Sequence, residues 1–318
     1  MSELRRYRAY GVAVVSDIDL PEFVPWDGHD RPTAGPPISI RLGHVPSSLT
    51  GAAGDAYLQA RSDAFVLTID GVARYLVRDG AEIVIEPAAE ASEHDVRVYL
   101  LGSCLGGLLH QRGLLVLHAS AIASEHGATL LCGHSGSGKS TLLGALLRRG
   151  HRMLVDDVCA IIVDGAGRPV VHPAYPRTRL WADAAQKLGQ DVAGLPRTQR
   201  SMDKFELQVP AHYWDEAAPM RQLYVLTSSE RDELRLEPLP VVERFAALIH
   251  HTYRREFLDA LTMQPRHFAL ASAVARDVPV TRVVRPASPF RLEELADLIE
   301  LDLDSEHRPR WPDSRIVQ

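Results

Sequence analysis

Cysteine is scarce in this chain: there are three in 318 residues, and Cys104, Cys132 and Cys159 lie too far apart to make a CxxC pair. That spacing excludes a readable zinc knuckle or disulfide framework and fits a reduced, cytoplasmic setting. A basic excess is lacking too. The formal charge is −6, which denies the chain the broad basic footprint that nucleic acid or an anionic membrane surface attracts. Long apolar runs are absent: the longest, 96–109, is interrupted by Gly102, Ser103, Gly106 and Gly107 and falls short of the ~20 apolar residues a spanning helix needs. The basic opening from Met1 to Arg8 leads into a stretch too short and interrupted for the apolar region of a signal peptide. Internal repeats and low-complexity tracts are also missing. The expectation is a soluble globular protein with no nucleic-acid and no membrane partner.

What is present divides in two. Short β-rich runs at 10–15, 38–42, 65–69, 72–77 and 82–85 are separated by turn residues, and Asp70-Gly71 and Asp79-Gly80 are turns of the kind that reverse a hairpin. Residues 1–91 therefore read as a mostly antiparallel β-rich domain. At Ser92, an N-cap residue, the pattern becomes helical, with Val96, Leu100, Leu101, Leu105 and Leu108 on one face until Gly113. Residues 92–318 form the second domain. It begins with strands at 114–118, 119–123 and 128–132, a helix at 141–149 stopped by Gly150, and a strand at 152–157. Further strands at 158–163, 169–172, 223–226, 234–237 and 280–284 alternate with helices at 241–251 and 265–275. A last helix opens with Ser288 as N-cap and Pro289 at its first position. The fold class is α/β.

Between the strand 128–132 and the helix 141–149 stands Gly133-His134-Ser135-Gly136-Ser137-Gly138-Lys139-Ser140, which matches the P-loop pattern G-x-x-x-x-G-K-[ST] in the strand–loop–helix context that pattern requires. Glycines let successive backbone N–H groups converge on phosphate oxygens, and the helix N-terminus adds its positive end. Gly133, Ser135, Gly136, Ser137, Gly138, Lys139, Ser140 and Thr141 are the expected nucleotide contacts. Lys139 is expected to reach the β and γ phosphates, and the Ser140 hydroxyl to hold Mg²⁺. The cofactors implied are ATP and Mg²⁺.

Sixteen residues after Ser140, Asp156 and Asp157 close an apolar strand that can return beside the loop. Successive strand residues point to opposite faces, so the two acids divide their tasks while the strand stays regular, one toward the acceptor and the other toward the metal or a supporting hydrogen bond. A carboxylate that accepts a hydroxyl proton is the base expected for phosphoryl transfer to an alcohol. An Asp-Asp turn ending the strand is the competing reading. His118 ends a strand upstream, where a satisfied polar residue is the commoner role.

Leu117-His118, the strand into the glycine loop, and Arg149-Gly150-His151-Arg152-Met153-Leu154-Val155-Asp156-Asp157 resemble, over residues 114–163, the catalytic core of the HPr kinase/phosphorylase family. The resemblance implies a P-loop kinase core of the HPr kinase / phosphoenolpyruvate carboxykinase type, Asp156 as general base, Asp157 as its partner and a metal ligand, and His118 in support. By analogy it also implies a homo-oligomer. The family's second, glycine- and arginine-rich signature is not recognisable, which points away from HPr as the acceptor. The layout is closer to HPr-kinase-like proteins of lasso-peptide biosynthesis, which modify a hydroxyl near the precursor's C-terminus. The features carrying that similarity are Leu117-His118-Ala119-Ser120-Ala121-Ile122, the Asp pair, and the run 173–183.

Arg177, Arg179, Arg200 and Lys204 follow in Pro-rich or polar segments; Arg179 and Lys204 are the preferred cations for the phosphates. His250, His251 and His267 read as solvated or core histidines rather than a metal site, and Cys132 and Cys159 as small buried hydrophobes. The expected function is transfer of the γ-phosphate to a serine-type hydroxyl on a peptide or small molecule. The competing functions are an ATPase or nucleotide-gated module without a phosphoacceptor, and a peptide-binding protein that uses the β-rich front for strand addition.

Overall fold

Residues 4–28, 35–181 and 204–305 are described by the computed structural model; the expectations for Arg200 and for the Lys204 side chain fall outside them. Period-two burial builds the first sheet from β1 (Arg5–Ala9), β2 (Val12–Ser16), β3 (Val24–Pro25), β4 (Ile38–Leu42), β5 (Ala53–Gly54), β6 (Leu58–Arg61), β7 (Ala64–Ile69), β8 (Ala73–Arg78) and β9 (Glu82–Pro87). Along β8 and β9 the residues Tyr75, Val77, Ile83 and Ile85 face inward and are buried. On the outer face Arg74 meets Glu86 across the ladder at 2.8 Å. The order is β3-β1-β2-β4-β9-β8-β7-β6-β5. β7, β8 and β9 form the expected meander, but β2–β4 and β4–β9 pair in parallel. The segment between β2 and β4 is long enough to cross over, which no short-range turn signal reveals.

Helix α1 (Glu93–Tyr99), capped by the Ser92 hydroxyl accepting from the Asp95 N–H at 3.1 Å, runs through a π turn (Leu100–Cys104) into α2 (Leu105–Gln111). It lies on the inner face of the first sheet, where the Tyr75 hydroxyl donates to the Val96 carbonyl at 2.9 Å. Gly106 lets the Tyr253 ring approach; a β-carbon there would stand 2.7 Å from it.

The second sheet starts with β10 (Leu115–Ser124), one continuous strand where the sequence suggested two, and β11 (Gly127–Gly133), followed by α3 (Lys139–Arg148). Then come β12 (Arg152–Val155), β13 (Val158–Val163), β14 (Pro169–Val171), the separate antiparallel pair β15 (Arg177–Trp181) and β16 (Lys204–Gln208), β17 (Ala218–Ser229) and β18 (Arg235–Pro238). Helices α4 (Val241–His250), α5 (Arg255–Ala260) and α6 (Gln264–Asp277), strand β19 (Val280–Pro286) and helix α7 (Leu292–Asp304) complete it. β11, β17 and β19 are mutually parallel, so their C-terminal ends share one edge of the sheet. That edge is where loops of an α/β sheet gather ligands.

The last helix starts at Leu292, not at Pro289. Residues 287–290 are held over the glycine loop instead, Ala287 donating its N–H to the Ser229 carbonyl at 2.8 Å and Phe290 lying against Gly138. One hydrophobic cluster runs without interruption from Tyr7, Val14 and Ile83 of the first sheet through Leu101 and Leu105 to Leu117, Val158 and Leu223 of the second. A smaller one joins α3 and α7 through Leu142, Leu146, Leu295 and Ile299. Among the described residues, no helix is long and apolar enough to cross a membrane.

Candidate active site

The loop after β11 turns on glycines with positive φ. Gly138, at φ 99°, is the residue before α3, and a β-carbon there would stand 2.9 Å from the Phe290 ring. Only glycine meets both conditions without strain. No side chain caps α3, so its first N–H groups and its positive dipole end face the loop, which suits an anion. Ser135 and Gly136 are exposed at the tip, while Thr141 is buried in the first helical turn. Lys139 is buried and folds back: its Nζ donates to the carbonyls of Gly133 at 2.8 Å and His134 at 3.2 Å. On the far side Arg285, from the end of β19, donates to the Ser137 carbonyl at 2.8 and 3.1 Å, with its guanidinium 4.5 Å from the Phe290 ring centre.

β12 and β13 lie in succession along β10, pairing with Ala121 to Ala123 and with Leu115 to His118 respectively. Between them the ladder breaks, and the break is Asp156-Asp157. Asp157 takes φ 86°, a left-handed conformation that aspartate tolerates better than most residues. A regular strand was expected to send the two acids to opposite faces. The break lets both converge on Arg179 of β15. Asp156, buried, accepts at Oδ2 from the Arg179 N–H at 3.0 Å and the Thr178 hydroxyl at 2.7 Å. Its Oδ1 accepts from Ser120 at 2.6 Å and from the Ser140 hydroxyl at 3.4 Å. Asp157 holds the Arg179 guanidinium at 2.6 Å, and His118 Nδ1 lies 3.1 Å from its carboxylate and 3.1 Å from its carbonyl. A carbonyl can only accept, which assigns the proton of His118 to Nδ1.

Most of the residues singled out by sequence thus meet at one place. Asp156, expected by resemblance as the base, lies at Ser140, and Asp157, expected on the metal, lies at His118 and Arg179. Arg177 and Arg179, placed by the sequence in Pro-rich or polar segments, are buried on a strand. The pairing of Arg179 with Asp157 raises its already high pKa against the opposing effect of burial.

Several partners had no sequence signal. Ser120 and Thr178 serve Asp156; the sequence offered them only inside the runs 117–122 and 173–183, with no role for either. The segment 250–254 docks on β10, where His118 N–H donates to the His251 carbonyl at 2.8 Å and Tyr253 N–H to the Val116 carbonyl at 2.9 Å. It brings His250 to His134, Nε2 to Nε2 at 3.4 Å, and buries His251 beside them. Burial first, then His250, His134, Lys139 and His118, depress the His251 pKa to about 3. Among the described residues no three His, Cys, Asp or Glu side chains form a metal cage. Ser140 and Asp156 therefore offer two hard oxygens at 3.4 Å, a partial set of the kind that suits Mg²⁺, which keeps waters and substrate phosphates as its other ligands.

No family model matches this chain, and no curated protein matches it. Among solved structures it is similar to the HPr(Ser) kinase/phosphatase from Coxiella burnetii, at 14% identity and a TM-score of 0.31, over 59% of this chain and 92% of that one. None of the site assignments rests on that likeness.

Proposed function

We propose that this chain is an ATP- and Mg²⁺-dependent kinase with a P-loop core that transfers the γ-phosphate to a serine-type hydroxyl, with a peptide of the lasso-precursor kind as acceptor. The observation that carries the reading is the meeting of Ser140 and Asp156 on one side of Arg179 with Asp157 and His118 on the other. The order of the motifs through residues 114–163 supports it as well. The glycine loop and the α3 N-terminus cradle the triphosphate, and Lys139 leaves its loop carbonyls for the β and γ oxygens. Ser140 and Asp156 would hold Mg²⁺, which would supply charge neutralisation at the phosphates. Asp157, oriented by His118, takes the proton of the acceptor hydroxyl as its oxygen bonds to the γ-phosphorus. The bond from that phosphorus to the β–γ bridging oxygen breaks, and ADP leaves. Arg179 stands where it can offset the charge on the transferring group.

The two acids separate in a direct test by intact mass of candidate peptides and by nucleotide binding. Asp157→Asn should cut transfer by roughly 10³-fold while ATP still binds, and Asp156→Asn should weaken the Mg²⁺ dependence of binding itself. Full transfer by Asp157→Asn overturns the assignment of the base. Release of inorganic phosphate without any phosphorylated peptide replaces the kinase reading with a nucleotide-gated ATPase.

A further inference from the structure

The first sheet meets β15 and the segment leading into it at two points. Tyr10 stands at the tip of the β1–β2 hairpin with φ 53°, followed by Gly11 at φ 69°. Two-residue hairpin turns with positive φ favour Asn, Asp and Gly, and a bulky aromatic residue in that conformation is an outlier that needs outside support. The support is visible: Tyr10 N–H donates to the Pro173 carbonyl at 2.7 Å, pressing the tip onto the segment that leads into β15. Its ring meets the Tyr175 ring edge-on, 6.3 Å between centres, and is 2% exposed. The hydroxyl is buried. Burial, then Tyr175, Tyr253 and Asp157, raise its pKa well above the ordinary value, so it is a neutral O–H donor.

Glu22, in the turn after β2 and 3% exposed, is the second point. Its Oε1 accepts from Arg97 of α1 at 2.9 Å and lies 3.8 Å from Arg177 Nη1. Arg177 lies 2.9 Å from Glu206 Oε1, which lies 3.5 Å from Arg179 Nε, and Arg179 ends on Asp157. Charges alternate along this buried chain from the first sheet to the reacting carboxylate. Arg179 Nε and Nη2 are buried and lack a partner aligned for a hydrogen bond. Leaving such donors unmet is unfavourable, and proteins keep that arrangement mainly where a ligand or a functional state completes it.

We infer that Glu22 is a positioning residue of the transfer site: the first sheet is a working part of the catalytic centre. Glu22, through Arg177 and Glu206, fixes the guanidinium of Arg179. The inference rests on the kinase reading above.

The test follows ATP consumption together with its phosphorylated product, whether a peptide or inorganic phosphate from water. Glu22→Gln should lower kcat at least tenfold and leave KM for MgATP within twofold, and in an Arg179→Lys background it should cost less than a further twofold, because both changes act on one guanidinium. Wild-type kcat in folded Glu22→Gln, in a chain whose parent turns over ATP, overturns the inference and leaves the kinase reading standing. A parent chain that binds ATP but transfers its phosphate to neither peptide nor water ends both.

Discussion

Asp156 shows at the scale of single residues how a buried charge is kept. Its two oxygens take four donors: the hydroxyls of Ser120, Ser140 and Thr178 and the N–H of Arg179. Hydrogen bonds to a charged group contribute roughly 1.5–3 kcal/mol each, and losing one in a buried site leaves the carboxylate short of donors. Thr178 is 1% exposed and Ser120 fully buried, so neither bond is replaced easily by water. Thr178→Val, which keeps the shape, and Ser120→Ala should each lower the unfolding free energy by about 2 kcal/mol, as read by denaturant titration. They should not add when combined, because they share one acceptor group. A surface change such as Glu125→Gln should leave the same titration unmoved, since Glu125 is exposed.

Elements place these residues, and here the sequence was uneven. The strand–glycine–helix unit was legible because its motif, its apolar strand and its helix are contiguous from residue 127 to 148. The meander β7–β9 was legible from two Asp-Gly turns. Less was legible where tertiary structure decides. The two halves of β10 are continuous because each is paired along its length by a different strand. Arg177, Thr178 and Arg179 of β15 are buried where β16, far away in sequence, pairs with them. The parallel pairings of β4 and the late start of α7 have the same origin in distant partners. Gly138 is the point at which one element constrains another. Gly138→Ala should destabilise by about 1–3 kcal/mol, from its positive φ and from the Phe290 ring, and should weaken nucleotide binding with it. Phe290→Leu on the same chain should recover only the steric part, so thermal midpoints of the two single variants and the double variant separate crowding from backbone strain.

For the whole molecule the decisive groups are buried histidines. Among the described residues, burial holds His110 at about 4 and His251 at about 3, and also lowers His172 and His267. His110 and His267 anchor the segment beside the site, His110 Nε2 to the Tyr253 carbonyl at 2.8 Å and His267 to the Thr252 hydroxyl at 2.9 Å. In the unfolded chain each binds a proton near pH 6.5, whereas in the folded one it stays neutral until far lower pH. The unfolded state then holds more protons, so stability is fully present above about pH 6.5 and falls as the pH drops. The loss runs from about pH 6.5 down to about 4 for His110 and about 3 for His251. Each contributes on the order of 1 kcal/mol per pH unit across that window. The paired carboxylates Glu293 and Glu300, held low chiefly by Arg149, titrate below about pH 4.5 and add only to the lower part. Between pH 6.5 and 5 the histidines therefore dominate. The thermal midpoint should fall by a few degrees per pH unit there, and His110→Asn, which cannot take up a proton, should flatten that slope even though its own midpoint at pH 7 is lower. An equally steep slope in His110→Asn and in His251→Asn would assign the acid lability to other groups.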